Sequence, residues 1–301
     1  MLEQFPKKSL SEFAECSDLR VVRDGTFSSI GYLIHSQPNM LAALYDIRFL
    51  DSVLAHQTIN AVITLPSLSN KIPSHLALAI SDNPLEALLR IHAYIHEKGD
   101  YWQSFETRIA PDARVHPTAY VAPNDVIIGN RVIIHPNVTI LPRTIIGDDS
   151  IIHTGTVVGA EGFEPRTIKG RQQIIVHSGG VRIGKCVSIM SNTCICCNMF
   201  GGFTEIGDES IIDNLVHVAH GVVLGRRCRV VASAMLGGST RIGDDVWIGP
   251  NATISSAIEI GHRARISLGA VVTKSVPADV HVSGNFAIEH NKLLAFLRTV
   301  R

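Results

Sequence analysis

His220 and Gly238 stand 18 residues apart, in the runs VAHG and GGS. A neutral imidazole can take a proton near neutral pH, and a glycine N–H can donate to a developing oxyanion with no side chain in the way. Together they suit acyl transfer, provided the fold stacks residues 18 apart. The plain alternative is a solvent-facing histidine and a glycine that only turns the chain. His217, three residues before His220, raises the question of a metal, as does the cluster Cys194, Cys196 and Cys197. No third ligand follows His217 at a metal-binding spacing, and the cysteines flank Ile195 and are expected to diverge to different sides of one coil. The expectation is therefore no metal, with the cysteines as small prism-filling or surface residues.

A hexad repeat would provide the stacking. Aliphatic residues fall at Ile206, Ile212, Val218, Leu224, Val230, Leu236, Ile242, Ile248, Ile254, Ile260, Ile266 and Val272 without a miss. Four residues after each comes a mostly small or β-branched residue, and glycine directly follows six of the twelve. The same phase holds at Ile109, Val115 and Val121, then from Ile128 to Val158, and again at Ile183, Ile189 and Ile195, giving 24 hexads. Three hexads close one turn of a triangular prism, so these make about eight coils. The predicted fold class is mainly β: a left-handed parallel β-helix of hexapeptide repeats with a small N-terminal α/β domain and a short C-terminal helix. On successive coils, about 4.8 Å apart, His220, Gly238, Ser256 and Lys274 form one column. Two excursions, at 159–182 (containing GAEGFEPRTIKGRQQ) and at 198–203, break the register where binding loops tend to sit.

The expected domains are 1–100, a small α/β unit; 101–284, the prism; and 285–301, a terminal helix. Within the first, INAVITLP (59–66) and HLALAIS (75–81) read as strands. Asp82, Asn83 and Pro84 then start a helix that runs through about His96, and Gly99 stops it. The 27 basic residues equal the 27 acidic ones, which argues against nucleic acid or an anionic membrane as partner. No apolar run is long enough to span a membrane and the N-terminus lacks an apolar signal region, so with six cysteines in no disulfide spacing the expected location is cytoplasmic. Charge is nevertheless uneven, with ten basic against five acidic residues over 220–301. Arg227 stacks in line with Arg263, and Arg229 with Arg265. This stripe could meet coenzyme A phosphates or an acidic carrier protein, or be a solvated face laced with ion pairs, since Asp245 shares the column of Arg227 and Arg263.

The runs IIDNLVHVAHGVVLG (211–225), LGGSTRIGDDVWIG (236–249) and ISLGAVVTKSVPADVHVSGN (266–285), with VVGAEGF and GGVRIG, resemble the UDP-3-O-acylglucosamine N-acyltransferases of lipid A synthesis. PNMLAALYDIRFLDSVL, INAVITL and ISDNPLEALLRI resemble that family's uridine-binding domain more loosely. The resemblance implies an N-acyltransferase with His220 as catalytic base and Gly238 as oxyanion donor. It moves an acyl group from an acyl carrier protein or coenzyme A thioester to the amine of a nucleotide-linked amino sugar. It further implies a homotrimer with no bound cofactor and no metal. Substrate contacts are expected at Asp46, Phe49, Asp213, Asn214 and His217, and donor contacts at Ser256, Arg263, Arg265 and Lys274. The chain departs from the family at Ala43, Asp46 and Phe49, where an aromatic, an asparagine and a tyrosine are expected. It departs also at Ala257 for a second histidine, at Phe286 for a proline, and in a terminal extension cut short at Arg301. Three alternatives stand beside this: an acetyl-CoA dependent sugar-nucleotide N-acetyltransferase for surface polysaccharide, a noncatalytic prism for binding or assembly, and a metallohydrolase or carbonic anhydrase-like prism.

Overall fold

The computed structural model describes residues 5–168, 170–284 and 289–299; Phe286 and Arg301 lie outside them. Three parallel sheets of eight, eight and nine short strands form the faces of a left-handed β-helix, among the described residues. The strands are as short as two residues because each hexad spends the rest of its length on a corner. His217–Val218 pairs with Met235–Leu236, which pairs with Thr253–Ile254, each 18 residues on. The inward aliphatic residues and their smaller partners four positions later make one continuous buried core from Ala122 to Val276.

Hexad corners recur at a fixed position. Arg227, Ser233, Ser239, Asp245, Asn251, Ala257 and Arg263 all have φ between +55° and +62°. They stand three residues after the inward aliphatic, so the left-handed corner does not fall on the glycines that directly follow it. Those glycines answer to a different constraint: a Cβ at Gly225 would lie 2.5 Å from the Gly243 carbonyl carbon on the next coil. The repeat keeps glycine there because backbones on successive coils approach too closely for a side chain.

Residues before the prism form a five-stranded mixed sheet in the order Arg20–Arg23, Ala77–Ile80, Ile59–Thr64, Met40–Leu44, Ser29–Ile30. The expected helix spans Pro84–Glu97; Asn83 caps it by accepting from the Glu86 N–H at 3.3 Å, and Gly99 follows with φ +73°. Its buried face packs with Phe5, Phe13 and Phe27 in a core that also takes in Ile175, Met199 and Phe200. These last three come from the two excursions. Both interruptions of the hexad therefore fold against the N-terminal unit and fasten it to the prism. The C-terminal helix spans His290–Thr299.

Candidate active site

His220 follows strand His217–Val218 at a corner of the prism, and Gly238 occupies the equivalent place one coil on. A Cβ on Gly238 would lie 2.8 Å from both Cε1 and Nε2 of His220, so only glycine lets the imidazole lie against that backbone. The coil beneath is tied to the one above through Ser239, whose N–H donates to the His220 carbonyl at 2.9 Å, while the Gly238 N–H has no acceptor among the described residues. The imidazole is only 15% exposed, and its Nδ1 is buried without a hydrogen-bond partner. Burial, then the nearby His177, lower its pKa, while Glu164 pulls in the opposite direction. A buried, neutral imidazole near an unused N–H can accept a proton and leave a donor for an oxyanion.

Glu164 and His177 come from the first excursion, which forms a hairpin of Pro165–Ile168 and Arg171–Ile174. The Glu164 carboxylate stands 3.8 Å from His220 Nε2. It is held by the Tyr32 hydroxyl, which donates at 3.2 Å, and by the Arg166 guanidinium at 2.5 Å. His177 packs edge-on to His220 with ring centroids 5.4 Å apart, and donates from Nδ1 to the Ile175 carbonyl at 3.0 Å. Gly162 borders both rings; a Cβ there would come within 2.7 Å of His177 Nε2 and 2.9 Å of His220 Cδ2. From the N-terminal unit, His35 Nε2 meets the Ser239 hydroxyl at 3.0 Å, and Arg241 donates to the Ser36 hydroxyl at 3.0 Å.

A cavity of about 340 Å³ adjoins this network, lined by Tyr32, Ala43, Tyr45, Phe49, Leu85 and Arg166 among others. Tyr32 and Arg166 belong both to this cavity and to the Glu164 contacts, which links it to His220. Ala43 does remove one aromatic from its wall, but Tyr32, Tyr45 and Phe49 supply three others. A second cavity of about 240 Å³ lies between the N-terminal unit and the prism, lined by His35, Asn198, Gly221 and Arg241 among others.

The expected contact residues fare unevenly. Phe49 lines the aromatic cavity, whereas the Asp46 carboxylate is spent on its own turn, accepting from the Arg48 N–H and pairing with the Arg48 guanidinium. Asp213 accepts from the Asn214 and Ala232 N–H groups, and Asn214 accepts from the Ser191 N–H, so both side chains are tied to neighbouring coils. Arg263 is locked to Asp279 at 2.6 Å and Arg227 to Asp245 at 2.8 Å, which makes that column an ion-pair ladder. Arg265 lies over the Trp247 ring at 5.8 Å. Ser256 and Lys274 are exposed, with Lys274 in a shallow cavity toward the end of the prism.

Cys197 turns into the prism core as a diverging cluster would have it, but Cys194 and Cys196 do not diverge. Residues two apart on a strand point to the same side, so Cys194 and Cys196 face the same way, and the sulfurs of both stand within 4.8 Å of each other and of a His217 ring nitrogen. The Cys196 thiol, then His217, hold the Cys194 thiol below its ordinary pKa. Sequence reasoning also missed Glu164, His177, Tyr32, Arg166 and His35 near His220. The only signal available was the broken hexad at 159–182, which marked a loop without saying where it would land.

Comparison with known proteins bears on this site. The bacterial transferase hexapeptide (six repeats) pattern matches residues 125–160, 203–238 and 239–274, a span that contains His220 and Gly238. The chain resembles curated UDP-3-O-acylglucosamine N-acyltransferases. The protein of that name from Shewanella denitrificans is 38% identical over 90 residues, and the one from Rickettsia akari 46% identical over 90 residues. Each matched stretch spans 30% of this chain and 26% of the relative's own length. Among solved structures, a UDP-N-acetylglucosamine acyltransferase from Francisella novicida superposes with a TM-score of 0.42 at 23% identity, covering 62% of this chain and 73% of that one. Another from Campylobacter jejuni gives 0.43 at 19% identity, over 64% and 83%.

Proposed function

We propose that this protein transfers an acyl group from a thioester to the amine of a nucleotide-linked amino sugar, as the names of its curated relatives suggest. The observation that carries this reading is the His220 imidazole lying against the Gly238 backbone, half-enclosed by Glu164 and His177. His220 removes a proton from the amine as its nitrogen attacks the thioester carbonyl. The carbonyl π electrons move to oxygen, and the oxyanion takes the Gly238 N–H. Collapse re-forms the C=O bond, breaks the C–S bond and leaves an amide; the protonated His220 returns its proton to the departing thiolate. No step needs a metal or resident cofactor.

The aromatic cavity of Tyr32, Tyr45 and Phe49 is the proposed seat of the nucleotide base, with Arg166 close to its phosphates. A carrier-protein or coenzyme A thioester is the donor, and Lys274, uncommitted where Arg263 is paired, is the better candidate to meet it. We further take the working unit to be a homotrimer. Phe163, 81% exposed beside Glu164, is apolar surface that a neighbouring prism would cover. Light scattering should then give three times the 32.7 kDa chain mass; a monomer at working concentration would remove this part.

The decisive test is intact mass of products from UDP-, dTDP- and GDP-linked amino sugars, each offered acetyl-CoA and a 3-hydroxyacyl carrier protein. A long-chain amide on UDP-linked glucosamine supports the reading in full. A short-chain product selects the N-acetyltransferase alternative, and no acylation of any amine overturns acyl transfer.

A further inference from the structure

Cys194 and His217 are partners across adjacent rungs, and Cys196 lies two residues beyond Cys194 on the same outward side of its strand. One ligand atom from each residue falls within 4.8 Å of the other two. In a tetrahedral zinc site, sulfur at about 2.3 Å and imidazole nitrogen at about 2.0 Å put the donor atoms roughly 3.5 to 3.8 Å apart. Closing the triangle therefore takes roughly 1.0 to 1.3 Å per pair at most, within the reach of a χ1 adjustment on a fixed backbone. The rungs that carry the three residues are anchored by Ile195 and Val218, both fully buried in the prism core.

The acyl-transfer step assigned to His220 and Gly238 draws on none of the three side chains. Both cysteines are free of disulfides, and Cys196 Sγ donates weakly to the Glu161 carbonyl at 3.7 Å. Access is open from one side, since His217 is exposed and Cys194 half-buried, while Cys196 forms the floor. Two sulfurs and an imidazole select a soft or borderline cation over magnesium or calcium.

We propose that Cys194, Cys196 and His217 form a binding site for a thiophilic divalent cation, Zn(II) foremost, with the fourth coordination position open to solvent. Binding displaces the remaining thiol protons, so the two thiolates neutralise the ion's charge. The site is independent of the acyl-transfer reading, because its test measures metal and not turnover.

The test is titration of the metal-free full-length protein with Co(II), followed by displacement with Zn(II). One equivalent should bind, with thiolate-to-cobalt charge-transfer absorbance of two thiolates and tetrahedral d–d bands, and one equivalent of Zn(II) should abolish both. Cys194→Ser should halve the charge-transfer band. His217→Ala should weaken Zn(II) more than the roughly 10 to 100-fold typical of losing an outer-shell partner. Cys186→Ser, at an exposed cysteine elsewhere, should change nothing. Mapping alkylation on the unmutated protein needs no variant to fold: Zn(II) should protect the half-buried Cys194 and leave the exposed Cys16 and Cys186 reactive. A wild-type cobalt spectrum without thiolate bands, an unchanged spectrum in Cys194→Ser, or no protection of Cys194 would overturn the proposal.

Discussion

At the scale of single residues, the chemistry depends on a ring lodged against a backbone. His220→Ala should lower kcat by about 10² to 10⁴, the usual worth of a positioned general base, with the thermal midpoint unchanged. Gly238→Ala should be nearly as damaging, since its methyl would occupy the space 2.8 Å from the imidazole. Activity persisting in both variants would remove the pair from the mechanism. Glu164 makes a separate prediction. Burial lowers the His220 pKa and the Glu164 carboxylate partly restores it. Because His220 must be neutral to act, the rising acid limb of kcat/KM follows that pKa. Glu164→Gln removes the restoring charge and should move the limb to lower pH, with kcat on the plateau altered less. A limb that stays put would mean Glu164 does not sense the imidazole's charge.

At the scale of elements, the prism is held by its interior and only trimmed by its surface. Leu236 is fully buried on a rung between those of Val218 and Ile254. Leu236→Ala should cost about 2 to 5 kcal/mol, read as a lower urea midpoint, because stacked coils cannot collapse into the space. Arg227→Ala breaks an exposed pair with Asp245 and should leave the midpoint almost unchanged, since water and salt already screen that ladder. The inserted hairpin is a different case. Gly162→Ala should spare stability but impair turnover, because the new methyl pushes on both His177 and His220. Equal loss of folding and turnover would count against that account.

At the scale of the molecule, buried histidines couple pH to the docking of the N-terminal unit. His35 reaches Ser239 on the prism, and His92 bridges the Tyr101 hydroxyl at 2.7 Å and the Val176 carbonyl at 2.9 Å. Burial pushes both down to about 4 from an ordinary value of 6.5. The folded state therefore resists protonation that the unfolded chain accepts. Their contribution is fully present above about pH 6.5 and declines as pH falls toward 4, by on the order of a few kcal/mol in total. The urea midpoint should drop between pH 7 and pH 5, and a flat profile would show that these rings are not held neutral in the folded protein.

The sequence by itself determined the prism, its core and the stacking of His220 under Gly238, because a strict period of six leaves one way to bury every aliphatic residue. It also set the cap at Asn83 and the helix after it, since those signals are local. Tertiary structure alone decided what surrounds the imidazole. Tyr32, Glu164 and His177 lie far from His220 in sequence and outside the repeat, so no periodicity relates them. They meet only because Ile175, Met199 and Phe200 bury themselves in the N-terminal core and carry the excursions with them. Tertiary structure likewise decided which charges are spent. The repeat already put Asp245 in the column of Arg227 and Arg263 but left that stripe free or paired, and only the folded coils commit Arg227 to Asp245 and Arg263 to Asp279.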